Sequence, residues 1–282
     1  MKTKEELTDD LLALAFAEDL GDGDHTTLST IPADAMGKSR LIIKEDGILA
    51  GVEVALKVLN RIDPTIKTTV YIEDGARVKK GDIAFEAEGP VRALLIAERT
   101  MLNIMQRMSG VATMTRRYQD ELEGLHTHVL DTRKTTPGMR MLEKDAVRIG
   151  GGTNHRIGLF DMILIKDNHI DFAGGIEKAI SRAQEYCKAN GKDLKIEVEV
   201  RSLDDIRRVM EHGGVDRIMF DNFTPELTKE AVKLVGGKYE TESSGGITLE
   251  NLREYGETGV DFISVGALTH SVKGLDMSFK AV

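Results

Sequence analysis

The sequence predicts an α/β protein: a reduced or incomplete parallel barrel, preceded by a smaller α/β element. Three observations carry this. Short apolar runs recur through the second half, each ending in a polar or glycine cluster. Segments of helical periodicity alternate with them. Only about 160 residues, from Ser109 to His270, hold these units, against the roughly 250 that a full eight-unit barrel takes.

The elements follow in order. Lys4 to Ala17 places Leu7, Leu11, Leu12, Leu14 and Ala15 on one side, which predicts an amphipathic helix. Gly21–Thr27 reads as a turn cluster, and Asp22 and Asp24 lack the downstream ligands of a calcium loop. Lys38–Lys44 alternates as a strand, Ala50–Ile62 reads as a helix, and Lys67–Glu73 and Ile83–Ala87 read as strands around turns at Gly75 and Gly81. Lys79-Lys80 does not match the exposed modified lysine of a biotin or lipoate carrier, so this part is expected to be a structural β element. Val91 to about Leu122 predicts a long helix broken near Ser109-Gly110.

After that helix, strand and helix alternate. Helices are expected over Met139–Ile149, Ile176–Ala189, Leu203–His212, Pro225–Val235 and Leu249–Tyr255; Ser202 and Thr224 are N-cap residues, and Pro225 suits a first helical turn. The strand runs with their endings are His128–Thr135, Gly151–Arg156, Met162–His169, Ile196–Val200, Ile218–Phe223, Glu242–Ile247 and Ile263–Leu268. Repeated βα units with apolar strands make a parallel sheet covered by helices, with chemistry at the strand C-terminal ends.

Bulk composition narrows the function. The 282 residues are 41% hydrophobic and 30% charged, enough for a substantial core in one large domain or two ordinary ones. A formal charge of −9 argues against general nucleic-acid binding. The single cysteine, Cys187, rules out an intrachain disulfide and reads as a structural thiol. No run approaches the roughly 20 apolar residues of a membrane span. The opening Met-Lys-Thr-Lys-Glu-Glu-Leu has no apolar signal segment, so the cytoplasm is the expected compartment, without nucleic-acid or membrane partners.

Against that negative balance, Arg133, Lys134, Arg156 and Lys166 gather at strand ends. Arg suits bidentate contacts to carboxylate or phosphate and Lys acts as a movable point charge, so the set points to a strongly anionic small ligand. In Lys195–Val200, Glu197 and Glu199 share one face of a strand, and Asp221 ends the next. Paired acids beside cations suit ribose hydroxyls or Mg²⁺ with its waters; a structural ion pair inside the barrel remains open for Glu197. Ser244-Gly245-Gly246 and Gly266-Ala267 form turns after the last two strands, where backbone N–H groups commonly receive phosphate. His155 adjoins Arg156 and suits a hydrogen-bonding role near the ligand, while His25, His126, His128, His212 and His270 lack metal-ligand spacing. There is no Ser-His-Asp set and no P-loop signature. The residues describe an enzyme for a phosphorylated sugar and a polycarboxylate. An isomerase or aldolase would need a base or a Schiff-base lysine, for which Lys166 is the one candidate.

Those same residues carry a resemblance through almost the whole length. Gly-Asp-His-Thr-Thr, Ala-Glu-Arg-Thr, Asp-Thr-Arg-Lys-Thr-Thr-Pro-Gly, Gly-Gly-Gly-Thr-Asn-His-Arg, Ile-Lys-Asp-Asn-His, Glu-Val-Glu-Val, Asp-Asn-Phe, Ser-Ser-Gly-Gly-Ile and Val-Gly-Ala-Leu-Thr-His occur in an order that resembles the quinolinate phosphoribosyltransferase family. The resemblance implies an N-terminal α/β sandwich domain (1–110, joined by the C-terminal tail 271–282) and an incomplete, seven-stranded α/β barrel (111–270). It implies transfer of phosphoribose from phosphoribosyl pyrophosphate to quinolinate with decarboxylation, using Mg²⁺, in a homodimer or higher oligomer with a shared active site. Arg99 would cross to the partner. Thr132, Arg133, Lys134, His155, Arg156 and Lys166 would bind substrate. Glu199 and Asp221 would hold ribose hydroxyls and Mg²⁺ waters, and Ser244, Gly245, Gly246 and Gly266 the 5′-phosphate. Lys134, Lys166, Glu199 and Asp221 are the expected catalytic residues.

Overall fold

The computed structural model describes residues 2–282. Its elements begin with α1 (Lys4–Leu20), α2 (His25–Thr30), β1 (Met36–Ile43), β2 (Gly47–Ile48), α3 (Val52–Ile62), β3 (Lys67–Val70), β4 (Arg77–Val78), β5 (Ile83–Pro90) and α4 (Val91–Glu121). They continue with β6 (His128–Leu130), α5 (Arg140–Ile149), β7 (Ile163–Ile165), α6 (Asp167–Ala173), α7 (Ile176–Ala189), β8 (Ile196–Val200), α8 (Leu203–His212) and β9 (Arg217–Asp221). The last are α9 (Pro225–Val235), β10 (Glu240–Ser244), α10 (Leu252–Gly256), β11 (Phe262–Ser264), α11 (Ala267–His270) and β12 (Met277–Ala281). The chain forms two compact units.

The first unit comprises Met1–Arg116, Thr135–Gly151 and Leu268–Val282. Its antiparallel sheet has the order β12-β1-β5-β3. Leu41 pairs with Phe279 on one side and Phe85 on the other, and the two rings lie 6.2 Å apart in the core. A capping box starts α1: Thr3 Oγ1 accepts the Glu6 N–H at 3.2 Å while the Glu6 carboxylate accepts the Thr3 N–H at 2.6 Å.

Three expectations change in this unit. His25–Thr27 belongs to a helix rather than to a turn, because Asp24 Oδ1 accepts the Thr27 N–H at 3.0 Å and so caps α2. The segment Thr135–Gly151, read from its pattern as part of the barrel series, clusters here instead. Buried Glu143 on α5 accepts from Arg107 Nε at 2.9 Å and from the Thr136 N–H at 3.1 Å. Finally, α4 runs unbroken through Ser109-Gly110. Gly110 is a contact position, since a Cβ there would collide with the backbone carbonyl of Lys273, and Ser109 hydroxyl bonds tie α4 to Ala50 at 2.9 and 3.0 Å.

The second unit comprises Arg117–Lys134 and Gly152–Ala267. Its six-stranded sheet is parallel throughout, in the order β6-β11-β10-β9-β8-β7. Every residue of β8 is buried, as a parallel strand covered on both faces requires. Helices α7, α8 and α9 pack in sequence and reach β7, β8 and β10. At the seventh strand expected around Thr153 there is a single parallel bridge to Leu130, outside the named strands. Asp131 explains the interruption: its carboxylate accepts the His155 N–H at 2.8 Å, taking a donor that a longer ladder would use.

Candidate active site

At the C-terminal ends of the second unit's strands lies a cavity of about 200 Å³ lined by Thr132, Arg133, Lys134, His155, Arg156, Leu164, Lys166, Met219, Glu242, Ser244 and Ser264. All four cations singled out from the sequence line it. Arg133 and Lys134 follow β6, where the Thr132 hydroxyl accepts the Lys134 N–H at 3.1 Å and tightens the turn. Lys166 follows β7, and its N–H donates to His169 Nδ1 at 3.0 Å as α6 begins.

Arg156 is held at both ends. Its backbone N–H donates to His155 Nδ1 at 2.7 Å, and its Nη1 donates to the Met162 carbonyl at 3.3 Å. Burial pushes its guanidinium below the ordinary arginine value, and the nearby Arg133 charge adds to that, with Glu197 and Asp161 opposing. A cation destabilised in this way gains most when an anion arrives.

The acids separate into two groups. Glu199 Oε2 accepts from Lys166 Nζ at 2.9 Å, joining the ends of β8 and β7. Glu199 also lines a neighbouring cavity of about 410 Å³ with Arg201, Arg208 and the Gly174-Gly175 turn. Asp221 closes β9 opposite Ser244 of β10, and its carboxylate accepts from Asn222 Nδ2 at 2.9 Å. Glu197 instead points into a fully buried cluster. His155 Nε2 lies 3.0 Å from Glu197 Oε2 and 3.4 Å from Glu242 Oε2, and Arg217 Nη1 donates to Glu242 Oε2 at 3.0 Å. Burial raises the Glu197 carboxyl to about 7 and the Glu242 carboxyl to about 8, with the Glu197 charge as the second cause for Glu242. The three donor atoms of His155, Glu197 and Glu242 lie within 4.8 Å of one another, a spacing open to a metal ion. Arg217 already supplies the cation there, so the cluster reads as a charge assembly.

The glycine turn follows β10. Gly245 and Gly246 have φ of +102° and +63°, which side chains resist, and a Cβ on Gly245 would strike Asn222. The following helix starts later than Leu249: Asn251 Oδ1 accepts the Thr248 N–H at 2.8 Å, and α10 begins at Leu252. Gly266 follows β11, between Val265 and α11. Arg99 belongs to the first unit, exposed on α4.

Sequence reading left Glu242 and Ser264 out of the site. The alternation Glu240-Thr-Glu-Ser-Ser puts Glu242 on the same face as Ser244, a signal available from the sequence but hidden by the absence of an apolar face. Among the described residues, no helix is long and apolar enough to cross a membrane.

The family model described as quinolinate phosphoribosyl transferase, C-terminal domain, matches residues 111–280, and its N-terminal counterpart matches 24–109. The chain is 44% identical over 286 residues to "quinolinate phosphoribosyltransferase (decarboxylating) 2, mitochondrial" of Nicotiana glauca, covering 96% of this chain and 81% of that one. It is 44% identical over 268 residues to a probable nicotinate-nucleotide pyrophosphorylase (carboxylating) of Bacillus subtilis, covering 95% and 91%. Among solved structures, NadC from Streptococcus pyogenes superposes with a TM-score of 0.93 at 38% identity, covering 100% of this chain and 99% of that one. The nicotinate-nucleotide pyrophosphorylase from Francisella tularensis gives 0.93 at 39%, covering 100% and 98%.

Proposed function

The chain belongs to the quinolinate phosphoribosyltransferase family, and from that premise we propose how its strand-end cavity works. The enzyme transfers phosphoribose from phosphoribosyl pyrophosphate to quinolinate with loss of CO₂, giving nicotinate mononucleotide and pyrophosphate in de novo NAD biosynthesis. The observation that carries the mechanism is the convergence of Arg133, Lys134, Arg156 and Lys166 on one cavity, with Glu199 bonded to Lys166.

Arg133, Arg156 and His155, which line the cavity, take the two quinolinate carboxylates, and Arg99 from a second copy completes their binding in a homodimer. Lys134 and Lys166 stand between carboxylate and pyrophosphate. Ser244, Gly245, Gly246 and Gly266 receive the 5′-phosphate on backbone N–H groups. The pyridine nitrogen attacks the anomeric carbon as the bond to pyrophosphate breaks, so no general base is required. Glu199 and Asp221 bind the ribose hydroxyls and stabilise the positive charge developing on the sugar. Once the ring nitrogen is quaternary, the adjacent C–CO₂ bond breaks. The ring's positive charge stabilises the electron pair left on carbon until a proton arrives. Catalysis here is positioning and electrostatics.

Magnesium fits the donor set. Glu199 and Asp221 are hard oxygen donors at neighbouring parts of the sheet end, and Glu199 keeps an oxygen besides the one bonded to Lys166. Those residues would hold the ion through its waters, where it neutralises pyrophosphate charge. The parallel sheet is further read as an incomplete seven-stranded barrel, supported by the Thr153–Leu130 bridge beside β6.

The test is turnover with quinolinate, phosphoribosyl pyrophosphate and Mg²⁺, following nicotinate mononucleotide and CO₂, with nicotinate as control. Product from quinolinate alone supports the reading. Silence from folded protein, with turnover of another ring acid, overturns it.

A further inference from the structure

Asp131 directly follows β6, is fully buried, and stands outside the cavity lining. It nonetheless bonds to three consecutive residues of the loop that carries Arg156. Its N–H donates to the Thr153 carbonyl at 3.2 Å, its Oδ2 accepts from Asn154 Nδ2 at 2.5 Å, and its Oδ1 accepts the His155 N–H at 2.8 Å. The cations stand just beyond these bonds: Arg133 two residues after Asp131, and Arg156 next to His155. A second carboxylate holds the far side of Arg156, where Asp161 accepts the Ile157 N–H at 2.7 Å and the Gly158 N–H at 2.8 Å. Burial, and then the Arg133 charge, keep the Arg156 guanidinium below its ordinary value. The two arginines therefore repel, and like charges move apart unless the backbone restrains them.

We propose that Asp131 is a positioning residue for quinolinate: by binding Asn154 and His155 it holds the loop of Arg133 against the loop of His155 and Arg156, and so fixes the spacing of the groups that receive the two carboxylates. This rests on the assignment of Arg133, His155 and Arg156 to quinolinate. Sheet pairing does not supply this restraint, because only the Leu130–Thr153 bridge joins the two stretches. A buried carboxylate with a donor on each oxygen fixes one arrangement of those donors. Substrate then meets cations already spaced, and its binding need not order the loop as well.

The first experiment is independent of turnover. Amide hydrogen exchange of the wild-type protein, followed by NMR, is expected to show the His155 N–H exchanging about 100-fold more slowly than an open loop amide before any ligand is added. Rapid exchange in the free protein overturns the proposal. The second arm is kinetic. Asp131→Asn places a donor against the Asn154 amide, so the quinolinate KM is expected to rise about tenfold, with the phosphoribosyl pyrophosphate KM within about twofold. Adding Asn154→Asp reverses the mismatch, since the new amide then donates to the new carboxylate. The quinolinate KM of this double variant is expected within about threefold of wild type. A merely structural loss would lower kcat through the amount of active enzyme and leave both KM values alone. That result, or a double variant no better than Asp131→Asn, overturns the proposal. Should Asp131→Asn fail to fold, Asn154→Ala removes one of the bonds and is expected to raise the quinolinate KM about threefold; an unchanged value overturns the proposal. Inactivity of wild-type protein toward quinolinate would instead strike the functional reading, leaving the exchange result to stand by itself.

Discussion

Lys166 and Glu199 are bonded side chain to side chain at 2.9 Å across the ends of β7 and β8. On the mechanism proposed above, the pair would set a cation for pyrophosphate beside an anion for the sugar, so one contact would order two charges that act on opposite partners of the breaking bond. Glu199→Gln keeps a hydrogen-bond acceptor for Lys166 but removes the negative charge. Turnover is expected to fall roughly 100-fold, with quinolinate affinity by calorimetry changed less than about threefold. Lost quinolinate affinity with intact turnover would sink the role given to Glu199.

Arg99 is exposed on α4, so Arg99→Ala is expected to shift the melting temperature by no more than about 1–2 °C, as surface substitutions do. Activity should nonetheless be lost. Mixing this variant with Lys134→Ala should restore about one quarter of wild-type activity, because half of the dimers are hybrid and each hybrid holds one intact site. No recovery after confirmed subunit exchange would argue against a shared site.

The buried pair predicts a stability profile with a definite sign. Burial raises the folded-state carboxyls of Glu242 to about 8 and Glu197 to about 7, above their ordinary 4.5. The folded protein therefore holds these protons more tightly than the unfolded chain. Their contribution is full below about pH 4.5 and is lost as pH rises through about 8. Calorimetric melting from pH 5 to 9 should show wild type falling relative to Glu242→Gln. A constant difference between the two across that range would refute it.

Gly110→Ala should destabilise by about 1–3 kcal/mol, the usual cost of overpacking, because the new methyl meets the Lys273 carbonyl. Urea unfolding measures it. A wild-type midpoint would mean that the Val272–Gly274 segment moves freely away from α4.

The same glycine shows where sequence reasoning stops. From sequence, Gly110 in a helical pattern reads as a breaker, since its contact with Lys273 joins residues far apart in the chain. The four cations were legible because each comes at or just after a short apolar run or a glycine turn, a signature that local pattern alone can carry. Glu242 was missed because its strand alternates among polar residues on both faces, leaving no apolar stripe to mark which side is inward. Glu197 was legible as an acid facing inward, but its partners His155, Glu242 and Arg217 come from other strands and loops, and only the register brings them together. Thr153 illustrates the limit for strands: its run looks like the others, and a single aspartate, Asp131, diverts the donor that would have extended the ladder.

The pairing of β12 with β1 has a consequence for synthesis. During translation, β1, β5 and β3 emerge early, yet β1 stays an open edge until Met277–Ala281, made after every other strand, leaves the ribosome. The parallel sheet has all its strands well before that point. The strand made after all the others is thus the first sheet's closing strand, and a nascent chain stalled short of it exposes a sticky β edge to its neighbours on the polysome.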